Sequence, residues 1–589
     1  MRRNGFITFM VALLMLLFAT MACFAEAIVE VNDSIEKQDV LKGTKTVIKV
    51  FETTDMHGYI IDASSMKEDT FQYRLAYLAN VVNQARTEYD DVILLNGGNN
   101  YEGTPVSNLL KGAAIRAAFD MMGYDGTAMG NHEFDWDNIK YRINADADGT
   151  IGAYEVGSFK GDSDVPVLAS NLYYKATGER VEFTKDYVIV EKGGYRVALI
   201  GYISDFSSMV MTSRIEEYTI DADISKLNAL ITKVNETEKP DVTIIVSFSD
   251  AKSLAGKVNP ELVDVVVGGH SGSGAGIADN GVAYLQGSNY ASGYACADIV
   301  INDDTREVTV ENCENISIVA SGRGADNSKL FSSSTELDPE IFALSQAAWD
   351  AVADDMNQNL GYITTSLSSR TKAEGDKNAS IAGNWLTGLM LRWAQENGYP
   401  ETIAAFYNNG GIRTSLSIAE GETRKEVIAA DVYAINPFCN YWYIYEVTAP
   451  ELAKQLADAI VDGNLGNEMS GITFTYTYHT ETSEGGAGGP AGGPGGPREK
   501  TIVDSIDSIT LEDGTVLELN DTTTKYLVCI SNYSATLEGS VFIGKTPLNE
   551  NSAPIDNETL IAQLLKEAGE GKEIAVDTSA RGTGTLKAE

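Results

Sequence analysis

The stretch Met129 to Asp135, MGNHEFD, sets an amide, an imidazole and two carboxylates side by side behind a single glycine. After that glycine only Phe134 is apolar. Potential ligands and acid–base groups at this density point to an active-site loop. Three other segments share its character: TTDMHG (Thr53–Gly58), GGNNYEGTP (Gly97–Pro105) and GGHSG (Gly268–Gly272). The chain holds four histidines, and His57, His132 and His270 fall on these segments, leaving only His479 elsewhere. Histidines scattered as ordinary polar residues do not gather this way, so the segments are expected to meet in one site.

Working outward, each segment follows a short run rich in Val, Ile and Leu. TVIKVFETTD, DVILLNGG, VPVLASNLYY, YRVALIGYIS, DVTIIVSFS and VDVVVGGHSG alternate with stretches of helical spacing such as PVSNLLKGAAIRAAFDMMGY. Buried strands alternating with helices predict a layered α/β fold, in which ligand groups collect on loops at strand ends. This pattern fills residues 46–335. DPEIFALSQAAWDAVADDMNQNL follows as an amphipathic helix, predicted as a linker over 336–360. A second α/β unit is predicted over 361–589, opening with the helix SIAGNWLTGLMLRWAQENG. Within it, residues 483–497 (SEGGAGGPAGGPGGP) carry no apolar side chain larger than Ala and read as a flexible loop.

The first 27 residues have two arginines, an apolar run and Ala25-Glu26-Ala27, the form of a cleaved secretory signal. The expected location is therefore outside the cytoplasm: secreted, periplasmic or on the cell surface. Cys23 makes a poor lipoprotein box, so lipidation is a minor alternative. No later run is long enough to span a bilayer. The chain carries a net charge of −40, and the leader contributes +1, leaving −41 after cleavage. That surface repels nucleic acid and anionic lipid, which excludes both as partners. A nucleotide also needs local positive charge in a cleft to overcome this field. Export permits disulfides. Cys296 and Cys313 lie on two strand-like runs that a hairpin can bring together, and a pair of buried free thiols is the equal alternative.

The motifs together resemble the 5'-nucleotidase family. ETTDMHG, YEGTPVSNLL, MGNHEFD and VVVGGHS are similar to its metallophosphoesterase domain; NNGGIR and NPFCN are similar to its C-terminal substrate domain. The resemblance implies a four-layer α/β sandwich of the metallophosphoesterase type plus a second α/β nucleotidase domain. It implies hydrolysis of nucleotide phosphate esters by a water activated on two divalent metals (Zn, Mn, Co or Mg). It assigns metal binding to Asp55, His57, Asn131 and His270, with Asn99 a further candidate ligand beside Asp55 and His57, and phosphoryl stabilisation to His132 oriented by Asp135. Asn408 and Arg413 would meet the nucleotide, with its base stacked on Phe438. The second stacking aromatic belongs to a loop whose glycine pair and Asp are lost here, leaving Phe542 as the candidate.

Three metal positions of the family are not met. Asn99 stands where the bridging Asp belongs, Phe248 where a histidine belongs, and Gly272 where a second His or Gln belongs. An amide carries no charge and bridges two cations poorly, while Phe and Gly offer no side-chain ligand. The expectation is one metal at most. Two functional readings stay open: an exported nucleotide phosphoesterase, or an impaired or inactive relative that binds a nucleotide or another ligand between the domains. A third is a secreted protein whose acidic shell and Gly/Pro loop serve a partner. The oligomeric state is not encoded in any feature of the sequence.

Overall fold

The computed structural model describes residues 45–63, 70–135, 165–210, 212–270, 272–322, 324–370, 379–483 and 498–587. The expected leader (1–27) and residues 484–497 of the Gly/Pro-rich segment lie outside the described residues.

Two sheets dominate the N-terminal part. The first is built from β1 (Lys45–Thr53), β2 (Asp91–Asn96), β3 (Gly126–Thr127), β10 (Gly293–Asn302) and β11 (Val308–Ser317). The second contains β4 (Tyr187–Lys192), β5 (Tyr195–Ile203), β6 (Val242–Phe248), β7 (Val265–Val267), β8 (Gly274–Ile277) and β9 (Ala283–Gln286). Among the described residues their orders are β11-β10-β1-β2-β3 and β8-β9-β7-β6-β5-β4. The central strands of each are parallel: Phe51 pairs with Leu94 between β1 and β2, and Ile244 with Val265 between β6 and β7. Parallel strands deliver their C-terminal loops to one edge.

The sheets pack face to face. Val50, Ile93, Leu95 and Ala297 from the first meet Val197, Leu199, Val246 and Val267 from the second in one core. Each of these Val, Leu and Ile side chains contributes roughly 1.5–3 kcal/mol on burial. The outer face of the first sheet is covered by helices α1 (Arg74–Glu88), α3 (Ala113–Met122) and α6 (Pro339–Met356); that of the second by α4 (Ile224–Glu238) and α5 (Ala251–Ala255). The result is the α/β/β/α sandwich expected from the sequence.

The stretch PVSNLLKGAAIRAAFDMMGY is broken where a continuous helix was expected. It forms α2 (Pro105–Leu109) and α3, interrupted at Lys111 (φ 52°) and Gly112 (φ 79°). A Cβ on Gly112 would lie 2.7 Å from the Tyr101 ring, so the turn presses on the loop that carries the site. Helix α6 fills most of the segment expected as a linker. Asp338 caps it, accepting the N–H groups of Glu340 (3.0 Å) and Ile341 (2.9 Å). Its Trp349, Val352 and Met356 join a core that reaches Ala430 and Tyr433 of the following unit, so the two units share packing.

That second unit centres on β12 (Thr402–Tyr407), β13 (Trp442–Val447), β14 (Glu468–Ser470) and β15 (Tyr526–Ser531), in the order β13-β15-β12-β14. Helix α7 (Ile381–Glu396), capped by Ser380, packs on this sheet. The strands Ile472–Ser483 and Arg498–Leu511 form a hairpin that flanks the Gly/Pro-rich segment.

All four cysteines among the described residues are free thiols. The β10–β11 hairpin does form, but Cys296 opposes Glu314 in register. Cys296 packs into the helix-covered core, whereas Cys313 packs against the inter-sheet core on the other face. No helix among the described residues is long and apolar enough to cross a membrane.

Candidate functional site

The chain leaves β1, β2 and β7 through unusual backbone. Asp55 (φ 47°), His57 (φ 46°), Asn99 (φ 57°) and His270 (φ 82°) all adopt the left-handed conformation that side-chain-bearing residues avoid. Each costs about 1–2 kcal/mol, and such residues cluster where geometry serves a site. Backbone hydrogen bonds zip the first two loops together: Asp55 N–H to Gly98 O (2.9 Å), His57 N–H to Asn99 O (3.0 Å) and Gly58 N–H to Asn100 O (2.8 Å). Glu133 locks the third loop onto them. Its buried carboxylate accepts the N–H groups of Asn99 (3.1 Å), Asn100 (2.6 Å) and Gly130 (2.5 Å). Burial raises its pKa, and those three bonds oppose the rise.

The Asn99 amide sits at the centre. Its Oδ1 accepts the His132 N–H (3.1 Å), which turns the NH₂ group towards Asp55 Oδ1 (3.1 Å) and Asn131 Oδ1 (3.3 Å). A neutral donor therefore joins two oxygens that the resemblance assigns to metals. The other Asp55 oxygen accepts from the Thr54 hydroxyl (2.8 Å) and the His270 N–H (2.9 Å). Phe248 is fully buried beside these groups, its ring edge-on to His270 at 5.1 Å. A Cβ on Gly130 would lie 2.2 Å from Asn99 Oδ1 and 2.6 Å from the Phe248 ring, so only glycine fits between them.

These donors do not fit a two-metal centre. Asn99 presents N–H rather than oxygen to Asp55 and Asn131, Phe248 puts hydrocarbon where the resemblance expects a histidine, and Gly272 brings no side-chain ligand. Asp55 Oδ1 and His57 Nε2 stand 3.8 Å apart, a spacing two ligands of one cation can have. His57, Glu102 and His132 form a possible metal group of another composition, with ligand atoms within 4.8 Å of one another. One ring nitrogen of each histidine is already engaged, His57 Nδ1 with the Glu102 carbonyl (2.9 Å) and His132 Nδ1 with Asp135 Oδ2 (2.6 Å).

Two carboxylates converge on His132 Nδ1, Asp135 Oδ2 at 2.6 Å and Glu102 Oε2 at 3.1 Å. Burial alone would push its pKa down, but Asp135 and Glu102 raise it to about 10. Burial likewise opposes charge on Glu102, yet His132 and His57 hold it at about 2. At neutral pH His132 is thus an imidazolium. Glu102 was not singled out by the sequence, because a lone Glu in YEGTP carries no motif of its own. Its proximity to two of the four histidines appears only in three dimensions.

The second unit closes the site. Cys439 N–H donates to Glu102 Oε1 (3.2 Å), Asn108 Nδ2 to Cys439 Sγ (2.8 Å) and the Tyr441 hydroxyl to the Asp135 carbonyl (2.9 Å). Between the units lies a cavity of about 480 Å³ lined by Asp55, His57, Asn99, Asn131, His132 and His270 from one side and Arg413 and Phe438 from the other. The Arg413 guanidinium lies over the Phe438 ring at 5.4 Å. Asn408 is buried nearby in sequence, its Oδ1 without a hydrogen-bond partner among the described residues.

The sequence profile of the 5'-nucleotidase C-terminal domain matches residues 355–542, which include Asn408, Arg413 and Phe438. Residues 355–542 thus carry a 5'-nucleotidase C-terminal domain, and the chain is similar to curated 5'-nucleotidases over most of its length. It is 24% identical to a 5'-nucleotidase of Vibrio vulnificus over 480 residues, covering 74% of this chain and 80% of that protein. It is 22% identical to endonuclease YhcR of Bacillus subtilis over 565 residues, covering 91% of this chain but only 41% of that longer protein. A 5'-nucleotidase precursor from Thermus thermophilus has the same fold, with a TM-score of 0.56 at 16% identity, covering 92% of this chain and all of that one.

One residue that the nucleotidase pattern nominated is placed elsewhere. Phe542 does not face the cleft. It is 1% exposed, in a core with Val528 and Ile530, and its ring packs on Tyr445 at 4.8 Å. A ring enclosed on all sides has no face to offer a base. Phe542→Ala is expected to destabilise the protein by about 3–5 kcal/mol, read by chemical denaturation. Nucleotide affinity of the protein that remains folded is expected to stay within twofold.

Proposed function

We propose that the chain is an exported nucleotide-binding member of the 5'-nucleotidase family in which two-metal hydrolysis is impaired. The observation that carries this reading is the Asn99 amide, which hydrogen-bonds Asp55 and Asn131 from the position of the bridging carboxylate. The family is divalent-metal-dependent. Here a pair of cations would have to displace that amide, and Phe248 and Gly272 offer no side-chain donor to the second.

Binding has separate support. In a chain of net charge −40, the His132 imidazolium and the Arg413 guanidinium line one cavity. Two cations lining one cavity suit a phosphate, and the Phe438 ring beside Arg413 suits an aromatic base. His132 would donate to a phosphoryl oxygen while Asp135 keeps the ring oriented. Export rests on the N-terminal sequence pattern and on the precursor description of the Thermus relative. The domain limits proposed are 46–335 and 361–589, joined by a helix within 336–360.

The test pairs phosphate release from 5'-AMP, with Mn²⁺, Co²⁺ or Zn²⁺ added, with calorimetric titration of AMP. Binding without metal-dependent turnover is expected. Turnover by the unmodified protein that His132→Ala abolishes would overturn the impaired reading. It would favour hydrolysis around one cation, for which the 3.8 Å spacing of Asp55 and His57 is the supporting observation.

A further inference from the structure

With Phe542 spent in the core, Phe438 is the one aromatic that the described residues of the C-terminal domain contribute to the cavity lining. Phe438 shares its cavity with two tyrosines from the other domain, Tyr59 and Tyr290. Tyr290, on the loop between β9 and β10, keeps 38% of its surface exposed. No motif of the sequence draws attention to it.

The backbone around Tyr290 is held against its own preference. Tyr290 (φ 59°) and Ala291 (φ 49°) are consecutive left-handed residues, neither of them glycine. The loop is tied down at both sides of the peptide: Tyr290 N–H donates to the Asp55 carbonyl (2.8 Å), and the Tyr290 carbonyl accepts from Arg74 Nη1 (3.0 Å). Arg74 is in turn fixed by Asp62 Oδ2 at 2.5 Å. The ring itself is part of a tier. It packs on His57 at 5.3 Å and on Tyr59 at 5.2 Å, and the Arg74 guanidinium covers Tyr59 at 5.1 Å. A bulky exposed ring fixed this firmly has little conformational freedom left to lose on binding. The same loop bonds the backbone of Asp55, so the wall is registered to the phosphate end of the cavity.

We infer that Tyr290 supplies the second aromatic wall of the cleft, and that the ligand is a phosphate ester whose planar aromatic group lies between Tyr290 and Phe438. The inference rests on the binding reading above and names the residue from the opposite domain that completes the slot. Selectivity would then depend on the aromatic group as well as the phosphate.

The experiment titrates AMP and ribose 5-phosphate into the unmodified full chain, Tyr290→Phe and Tyr290→Asn. Asparagine tolerates the left-handed backbone, so it removes the ring without straining the loop. Circular dichroism and thermal unfolding check that both variants fold. Tyr290→Asn is expected to weaken AMP roughly 5- to 100-fold and to leave ribose 5-phosphate within twofold. Tyr290→Phe is expected to retain AMP affinity. AMP affinity unchanged in Tyr290→Asn, or an equal loss for both ligands, would overturn the role of Tyr290 while the binding reading stands. Failure of the unmodified protein to bind either ligand would overturn both.

Discussion

Glu133→Ala is expected to cost about 3–5 kcal/mol of stability and to abolish AMP binding in the protein that still folds. The carboxylate receives N–H groups from Asn99, Asn100 and Gly130, and all three donors are buried with it. Removing it strands them, at about 1–3 kcal/mol each before relaxation. Water entering the space left by the side chain returns part of that loss, which brings the total into the range of severe single substitutions. The loss of binding follows from position. Glu133 is the clasp between the loop carrying Asn99 and the loop carrying Asn131 and His132. Glu133→Gln keeps one acceptor oxygen and is expected to lose less than half as much. Chemical denaturation of the three proteins, followed by AMP titration, reads both effects.

The second large effect is a pH dependence set by Asp556, at the start of the helix Asp556–Glu567. This carboxyl is fully buried and hydrogen-bonded by the Tyr407 hydroxyl (2.7 Å), which also bonds Asn436 and Asn440 of the segment carrying Phe438. Burial pushes its pKa to about 7, against the pull of those bonds. Between the unfolded value near 4 and about 7, the folded protein holds a proton that the unfolded chain has released. Stability contributed by this group therefore falls as pH rises through that window, and levels off above it. Asp556→Asn removes the titration. The variant is expected to gain on the parent by about 3 kcal/mol between pH 4.5 and pH 8, being the less stable of the two at the acid end. Denaturation midpoints at both pH values check the sign. An unchanged difference would exclude Asp556 as the source.

Much of the layered fold was legible because it rests on local patterns. Buried strands such as VDVVVGG and DVILLNGG have one plausible environment, between two covered faces, and their glycine ends mark where the parallel strands stop. The meeting of His57, His132 and His270 followed from the same logic, since loops at one edge have nowhere else to go. Asn99 was also readable in kind, as a missing charge, but its direction was not. Only the His132 N–H fixes which end of the amide faces Asp55. Glu102 and Tyr290 were invisible as functional groups because their roles come from partners far away in sequence, and Glu133, read only as one carboxylate of its loop, gave no sign of the bonds it makes to Asn99 and Asn100. Phe542 failed for the opposite reason. Its place near the end of a degraded loop suggested a cleft, whereas the packing of Tyr445, Val528 and Ile530 draws it inward. The thiols of Cys296 and Cys313 show the limit of a hairpin argument: pairing brings strands together, and the pleat decides which faces their side chains share.

The left-handed backbone at Asp55, His57, Asn99 and His270 has a consequence for protein engineering. Loop conformation here is specified by many contacts at once, including the zipper of backbone bonds and the Glu133 clasp, whereas the donor set changes one side chain at a time. Positions 99, 248 and 272 can therefore be varied together on a fixed frame. Gly272 suits such a library, because a Cβ there meets no atom within 4 Å, although its φ of 76° favours Asn and Asp over branched residues. A combinatorial set of Asp, His and Asn at these sites, screened by metal-induced shifts in unfolding temperature, would use the protein as a scaffold for assembling one- and two-cation centres.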